Sequence, residues 1–100
     1  MIRMLMSATM IFLLMIVGAQ AAGDPVAGKA KAASCAACHG ANGQGIPPNP
    51  PLAGQTEAQL LQELEDYKSG KRNNAVMKGL TAGLSEQDME NLAAYYASLK

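Results

Sequence analysis

The sequence predicts an all-α fold with three main helices. Apolar residues recur at helical spacing in three stretches, and glycine- and proline-rich loops separate these stretches. No segment alternates apolar and polar residues as a half-exposed strand does. With 100 residues and no internal repeat, the chain is long enough for one small domain.

The first 21 residues have the pattern of a secretory signal peptide. An apolar run of about 14 residues follows Arg3, and Ala-Gln-Ala at 19–21 matches the small-x-small pattern at which such leaders are cleaved. The run is short for a membrane span, which needs about 20 residues. We therefore expect a signal peptide over residues 1–21 and a periplasmic domain over residues 22–100. An uncleaved anchor is the alternative, and only then would the protein contact a membrane.

Charge in this chain is balanced. The 8 basic and 8 acidic side chains give a formal net charge of zero, and loss of Arg3 with the leader would leave one net negative charge. Non-specific binding to nucleic acid requires a basic surface. We therefore expect no nucleic-acid partner.

The first predicted helix begins at Asp24-Pro25, an N-cap residue followed by proline at the first helical position, and ends near Gly40. Gly28 lies inside it, where glycine costs about 1 kcal/mol relative to alanine. A close crossing with another helix would explain this residue. Residues 40–54 then form a glycine- and proline-rich loop that is too long to be an idle connector in so small a domain.

The second predicted helix begins with a capping box formed by Thr56 and Gln59 and ends at Gly70, a typical C-cap residue. The third begins at the N-cap Ser85 and continues to the end of the chain. Between them, residues 71–80 show no amphipathic face and are predicted to be a loop.

Cys35, Cys38 and His39 form the sequence C-x-x-C-H, which is typical of a c-type haem attachment site. Two thiols one helical turn apart can each add to a vinyl group on one edge of a porphyrin. The histidine that follows can then bind the iron from one side. His39 is the only histidine in the chain, so no other histidine competes for that role.

The motif has three other possible interpretations. A thioredoxin-like dithiol requires a strand leading into the motif, and no strand is predicted. A structural zinc site requires four ligands, whereas Cys35, Cys38 and His39 supply three and the chain has no further Cys or His. A plain disulfide between the two cysteines is the third alternative.

Met77 is the predicted sixth ligand of the haem iron. Once the leader is removed, Met77 and Met89 are the only methionines left. Met89 has a packing role on the third helix, because its spacing from Leu84 fits a hydrophobic contact across the start of that helix. No amphipathic face includes Met77. A purely structural methionine at position 77 is the alternative. A methionine ligand opposite histidine raises the reduction potential of haem.

Four basic residues form a cluster without acidic residues. They are Lys68, Lys71, Arg72 and Lys78. One interpretation is a positively charged rim around an exposed haem edge that attracts acidic redox partners. A solvated loop is the equally simple alternative.

Taken together, these segments resemble the small bacterial class I c-type cytochromes with a single haem. The matching segments are Cys35-Ala-Ala-Cys38-His39-Gly40, Pro51-Leu52-Ala53-Gly54-Gln55, Tyr67-Lys68-Ser69-Gly70-Lys71-Arg72, Met77 and Leu92-Ala-Ala-Tyr95-Tyr96-Ala-Ser-Leu99. The resemblance implies the cytochrome c fold, with three main helices packed around one covalently bound haem c.

The resemblance also implies roles for individual residues. It pairs Gly28 with Tyr95 or Tyr96 at a crossing of the first and last helices. It makes the carbonyl of Pro51 the acceptor of a hydrogen bond from the His39 imidazole, which would orient the ring and tune the iron. It assigns Met77 as the second axial ligand.

The function implied is that of a periplasmic single-electron carrier with donor and acceptor protein partners and no substrate turnover. A haem sensor or small-ligand-binding haem protein, with a labile sixth position, is one alternative. An electron-transfer subunit of a membrane respiratory complex is another. Because a chain this small buries little surface by itself, we also expect the haem-free chain to be largely unfolded.

Overall fold

A computed structural model of the chain describes residues 23–99, and this part contains five α-helices. They are α1 (Pro25–Lys31), α2 (Ala33–His39), α3 (Glu57–Ser69), α4 (Ala75–Ala82) and α5 (Glu86–Ser98). The described residues form no strand, which confirms the all-α prediction. None of these helices is long and apolar enough to cross a bilayer. The predicted signal peptide, residues 1–21, lies outside the described residues.

The first predicted helix is divided into two short ones. Asp24 caps α1 as expected, because its side chain accepts a hydrogen bond of 2.9 Å from the Val26 amide. The α-helical hydrogen-bond pattern is interrupted at Ala32. The Ala32 amide donates at 3.2 Å to the carbonyl of Lys29, three residues back, and not to the carbonyl four residues back. Ala32 is buried, so the break lies against the core, and α2 continues from it to His39.

The two long helices begin as the sequence predicts. At the start of α3, the Gln59 amide donates to the Thr56 hydroxyl at 3.2 Å and the Gln59 side chain accepts from the Thr56 amide at 3.1 Å. Ser85 and Asp88 make the same reciprocal pair at the start of α5, with both bonds at 3.0 Å. Gly70 ends α3 in the left-handed conformation, with φ of +83°, which favours glycine.

The prediction of a loop over residues 71–80 is wrong, because Ala75–Ala82 forms α4. The Asn74 side chain caps this helix by accepting a hydrogen bond of 3.0 Å from the Met77 amide. Gly79 lowers the intrinsic helix propensity of α4, so the helix depends on its Asn74 cap and on packing against α3.

The first and last helices cross closely, as predicted from Gly28. A side chain at position 28 would collide with the Asn91 carbonyl and lie 2.8 Å from the Cβ atom of Tyr95. The partner in this crossing is therefore Tyr95 and not Tyr96. The core lies where α5 meets α3 and the break between α1 and α2. It consists of Ala32, Leu60, Leu92, Ala93 and Tyr96.

Candidate functional site

The predicted ligands come together around one cavity of about 380 Å³. Cys35, Cys38, His39 and Met77 all line it, although they lie on α2 and α4 and are up to 42 residues apart in the chain. The volume is in the range of small-molecule and cofactor sites, about 300–1,000 Å³. Met89 is buried on α5 and is not among the lining residues, in agreement with its predicted packing role.

The two cysteines lie one helical turn apart on α2 and both are free thiols, so the plain disulfide is not formed. Cys35 is partly buried and Cys38 is exposed. Burial raises the pKa of the Cys35 thiol, and the nearby Ser34 and Tyr96 side chains only partly oppose this effect. Before haem is attached, the Cys35 thiol is therefore protonated and neutral at neutral pH.

His39 ends α2 with its side chain buried, and its ring is oriented by a backbone carbonyl. The Nδ1 atom lies 2.7 Å from the carbonyl oxygen of Pro50. Because a carbonyl oxygen can only accept, Nδ1 is the donor, and in the neutral ring the lone pair that can bind a metal lies on Nε2. The assignment of Pro51 to this role is wrong: its carbonyl accepts a hydrogen bond of 3.0 Å from the Gln55 side chain.

The long loop after α2 positions the Pro50 carbonyl. The Gly45 amide donates to the His39 carbonyl at 2.8 Å, which ties the start of the loop to the end of α2. Further along, the Leu52 amide donates to the Gly43 carbonyl at 2.8 Å and closes the loop on itself. Pro50 lies within this closed segment, so its carbonyl is held opposite the imidazole. The loop is thus part of the site, as its length predicted.

Met77 lies in the first turns of α4 with its side chain partly buried at the cavity. Its amide donates to the Asn74 side chain at 3.0 Å, and its carbonyl accepts a hydrogen bond of 2.8 Å from the Thr81 hydroxyl. Thr81 is only 1% exposed and also lines the cavity. No pattern in the sequence indicates Thr81, since a threonine at helical spacing from a methionine is a common arrangement.

The rest of the cavity wall is mainly apolar. Leucines from the loop, α3, α4, the turn between α4 and α5, and α5 contribute to it: Leu52, Leu60, Leu64, Leu80, Leu84 and Leu92. Tyr67 and Tyr96 add aromatic surface. Val76 and Leu80 are 68% and 42% exposed although both line the cavity, so α4 presents apolar side chains at the cavity mouth.

The four basic residues predicted to surround the haem edge differ in their surroundings. Arg72 lines the cavity, and its guanidinium carbon lies 5.1 Å from the centre of the Tyr67 ring. The Lys68 ammonium donates to a backbone carbonyl just ahead of α5. Lys71 and Lys78 are exposed. These last two are therefore the charges most available to a partner.

The donor set fits a haem iron and does not fit zinc. Within residues 23–99, no group of three or more His, Cys, Asp or Glu side chains is arranged to hold a metal ion. One unprotonated imidazole nitrogen and one thioether are instead the pair that binds a haem iron from its two faces. The buried hydroxyl of Tyr96 has no hydrogen-bond partner among these residues and lines the same cavity. The site therefore has donors and space for a large, mostly apolar group.

Comparison with known proteins agrees with this geometry. Residues 25–100 match the family described as Cytochrome c. The chain belongs to the cytochrome c family. This cytochrome c domain is similar to cytochrome c4 of Pseudomonas aeruginosa, with 50% identity over 100 residues that cover 95% of the chain and 50% of that relative. It is also similar to cytochrome c-554(548) of Halomonas halodenitrificans, with 43% identity over 81 residues that cover 77% of the chain and 98% of the relative.

A solved structure shows the same fold. Reduced recombinant cytochrome c4 from Pseudomonas stutzeri aligns with a TM-score of 0.75 and 44% identity over 79% of this chain and 47% of that one. The predicted cytochrome c fold is therefore confirmed, and the domain carries covalently bound haem c. The chain spans about half the length of the cytochrome c4 relatives that it matches.

Proposed function

We propose that this protein is a single-electron carrier with one haem c, attached through Cys35 and Cys38 and bound at the iron by His39 and Met77. The observation that carries the proposal is the shared cavity, since the segment at residues 35–39 and the distant Met77 line one space. The hydrogen bond from the imidazole to the Pro50 carbonyl supports it further, because the bond leaves Nε2 free to bind iron.

Haem in this cavity supplies an iron that exchanges one electron at a time between its ferric and ferrous states. The protein's part is to hold both axial ligands in place. His39 is fixed by Pro50, and Met77 is fixed through its backbone by Asn74 and Thr81. With both axial positions filled, no position is left for a substrate, so we propose a carrier that transforms none. The thioether ligand and the leucine-rich wall both favour the less charged ferrous state.

The decisive experiment compares Met77→Ala with Met89→Leu in the purified haem-loaded protein. Ferric wild type should show the weak red absorption of sulfur-to-iron charge transfer, and ferrous wild type should resist carbon monoxide. Met77→Ala should lose the red band and bind carbon monoxide. Met89→Leu keeps a similar volume in the core, so both properties should stay as in wild type.

The opposite pattern would assign the sulfur ligand to Met89. A wild-type protein without the band that binds carbon monoxide would instead favour the haem sensor. The mass of the intact protein gives the haem content in the same preparation. One attached haem per chain supports the single-haem proposal, and no added mass contradicts it.

We also propose that residues 1–21 are removed on export and that the domain works in the periplasm. The charged start, short apolar run and Ala-Gln-Ala pattern at 19–21 support this location. Haem attachment agrees with it, because c-type haem is attached outside the cytoplasm. An N terminus at Ala22 in the mature protein is expected, and an intact leader would indicate a membrane-anchored subunit instead.

Redox partners with acidic surfaces are proposed to meet the protein near α4. Lys71 and Lys78 supply exposed positive charge there, and Val76 and Leu80 supply apolar surface at the cavity mouth. Replacing both lysines with glutamine should slow electron transfer with an acidic partner at low salt and weaken its salt dependence. Lys29→Gln on α1 is the control and should change neither. Equal rates in all three proteins would contradict this docking surface.

A further inference from the structure

Tyr96 carries a buried hydroxyl group that nothing in the described protein satisfies. The side chain is 4% exposed, its oxygen is inaccessible to solvent, and no hydrogen-bond partner for it exists within residues 23–99. Leaving such a group without a partner costs stability, and phenylalanine would fill the same space without this cost. The missing hydrogen bond is therefore expected to form once the cavity that Tyr96 lines is filled.

The ring of Tyr96 has little freedom to turn its hydroxyl elsewhere. The backbone of Gly43 packs against it so closely that a side chain at position 43 would lie 2.8 Å from a ring carbon. Gly43 also has φ of +64°, which disfavours any other residue. On the other side, the Tyr95 ring lies 5.0 Å away at an angle of 55°. The hydroxyl is therefore held in one place at the cavity.

Cys35 is the polar side chain next to this hydroxyl. Burial raises the pKa of Tyr96 far above its usual range, and the neighbouring Cys35 adds to the shift. Tyr96 is consequently a permanent O–H donor at neutral pH. A free Cys35 thiol still carries its own proton, whereas a thioether sulfur has none and can only accept. Attachment of haem thus removes the S–H donor of Cys35 and leaves its sulfur as an acceptor only.

We propose that the Tyr96 hydroxyl donates a hydrogen bond to the sulfur that joins Cys35 to the haem. The inference rests on the proposed haem attachment at Cys35. A donor at this sulfur draws electron density away from the edge of the cofactor, and this favours the ferrous state. Tyr96 is in this role a positioning and tuning residue, and it does not bind the iron.

The test compares Tyr96→Phe with Tyr95→Phe, which removes the same group from the adjacent ring outside the cavity wall. In haem-loaded protein, Tyr96→Phe should lower the reduction potential and raise the equilibrium constant of unfolding about fivefold, the effect of losing one ordinary hydrogen bond. Tyr95→Phe should leave the potential unchanged. If Tyr96→Phe has the wild-type potential and equal or greater stability, the hydroxyl has no partner and the proposal is wrong.

A second measurement uses the wild-type protein alone. In ferrous protein, which is diamagnetic, proton NMR should show one slowly exchanging tyrosine hydroxyl proton close to the Cys35 side-chain protons. Its absence contradicts the hydrogen bond even if Tyr96→Phe fails to fold. The visible spectrum and intact mass of the same sample report whether haem is attached. A missing proton with haem present refutes this inference alone, whereas missing haem refutes the proposed function.

Discussion

The hydrogen bonds around Met77 show how a single residue is positioned for a ligand role. Its amide is bonded to the Asn74 side chain and its carbonyl to the Thr81 hydroxyl. Thr81 is almost fully buried, so no water replaces its hydroxyl if the bond is lost. The location of the thioether therefore depends on a helix cap and on one internal hydrogen bond, which fix the backbone that carries it.

Replacing Asn74 with alanine should destabilise the haem-loaded protein by about 0.5–2 kcal/mol, the usual cost of losing an N-cap side chain. The red absorption band of the ferric protein should also weaken, because the first turn of α4 carries Met77. Denaturant unfolding followed by the visible spectrum measures both effects. Asn73→Ala is the matched control, since Asn73 is exposed and lies outside α4. Equal losses in the two variants would show that the cap has no special role.

At the scale of elements, the crossing of α1 and α5 depends on the absence of a side chain at position 28. Backbone atoms of Asn91 occupy the space that a Cβ atom would need. Backbone atoms cannot rotate out of the way, so the two helices would have to separate. Gly79 on α4 is different, because nothing lies within 4 Å of the place where its Cβ would be.

Gly28→Ala should therefore lower the free energy of unfolding by about 1–3 kcal/mol, the usual cost of overpacking. Gly79→Ala should raise it by about 0.5–1 kcal/mol, because alanine is the better helix former and meets no obstacle. Thermal or denaturant unfolding of the haem-loaded variants measures both. A stabilising Gly28→Ala would mean that the close crossing does not exist in solution.

The contact between α3 and α5 includes two acidic side chains. The pKa of Glu65 is raised, chiefly by its hydrogen bond with the Glu86 carboxyl, and Asp66 and Glu90 add negative charge nearby. A hydrogen bond between two carboxyls requires that one of them be protonated. A group whose pKa is higher in the folded protein contributes stability below its ordinary pKa, and this contribution is lost as the pH rises through the raised value.

Glu65→Gln should therefore lose less stability than wild type as the pH rises from below the ordinary glutamate pKa of 4.5 to neutrality. Denaturant midpoints measured over this pH range give the comparison. Glu86→Gln removes the other half of the pair and should flatten the same part of the profile. Parallel profiles for wild type and both variants would show that the two carboxyls do not interact.

At the scale of the whole molecule, the protein by itself has a small core around a large cavity. The largest side chains that are fully buried in the described part are Leu92 and Thr81, and the cavity of about 380 Å³ separates α4 from the loop that carries Pro50. Leucines face this space from several elements. An apolar group inside it would complete the core, and without one the leucines would face water or empty space.

We therefore expect the chain without haem to be largely unfolded. The double variant Cys35→Ala, Cys38→Ala cannot attach haem and should show a weak helical circular dichroism signal without a cooperative thermal transition. Haem-loaded wild type should melt cooperatively. Met89→Leu serves as the control, since it alters the core but keeps both cysteines. A cooperative, native-like melt of the double variant would show that the protein core suffices by itself.

Several elements of the fold and site could be predicted because their determinants are close in sequence. The capping box at Thr56, the N-cap at Ser85, the end of α3 at Gly70 and the helical C-x-x-C-H segment each depend on residues within one or two turns. The packing role of Met89 was predicted in the same way: Met89 lies in a packed helix face, whereas Met77 lines the cavity. Interactions between residues close in sequence were sufficient for these predictions.

Two predictions failed where distant parts of the chain meet. Four prolines between residues 47 and 51 could each have supplied the acceptor for His39, and only the folded loop brings Pro50 to the ring. The α4 helix was missed because its apolar residues face a cavity built by other helices. Propensity alone is weak in a segment that contains Gly79 and two asparagines.

The sequence by itself determined the helical class, the haem-attachment motif and the identity of the axial candidates, because these follow from composition and short-range spacing. The tertiary structure decided which carbonyl orients His39, which helix carries Met77, and which buried hydroxyl is left without a partner. These features depend on side chains more than ten residues apart meeting at one cavity. Such contacts arise from packing, on which the local sequence pattern carries no information.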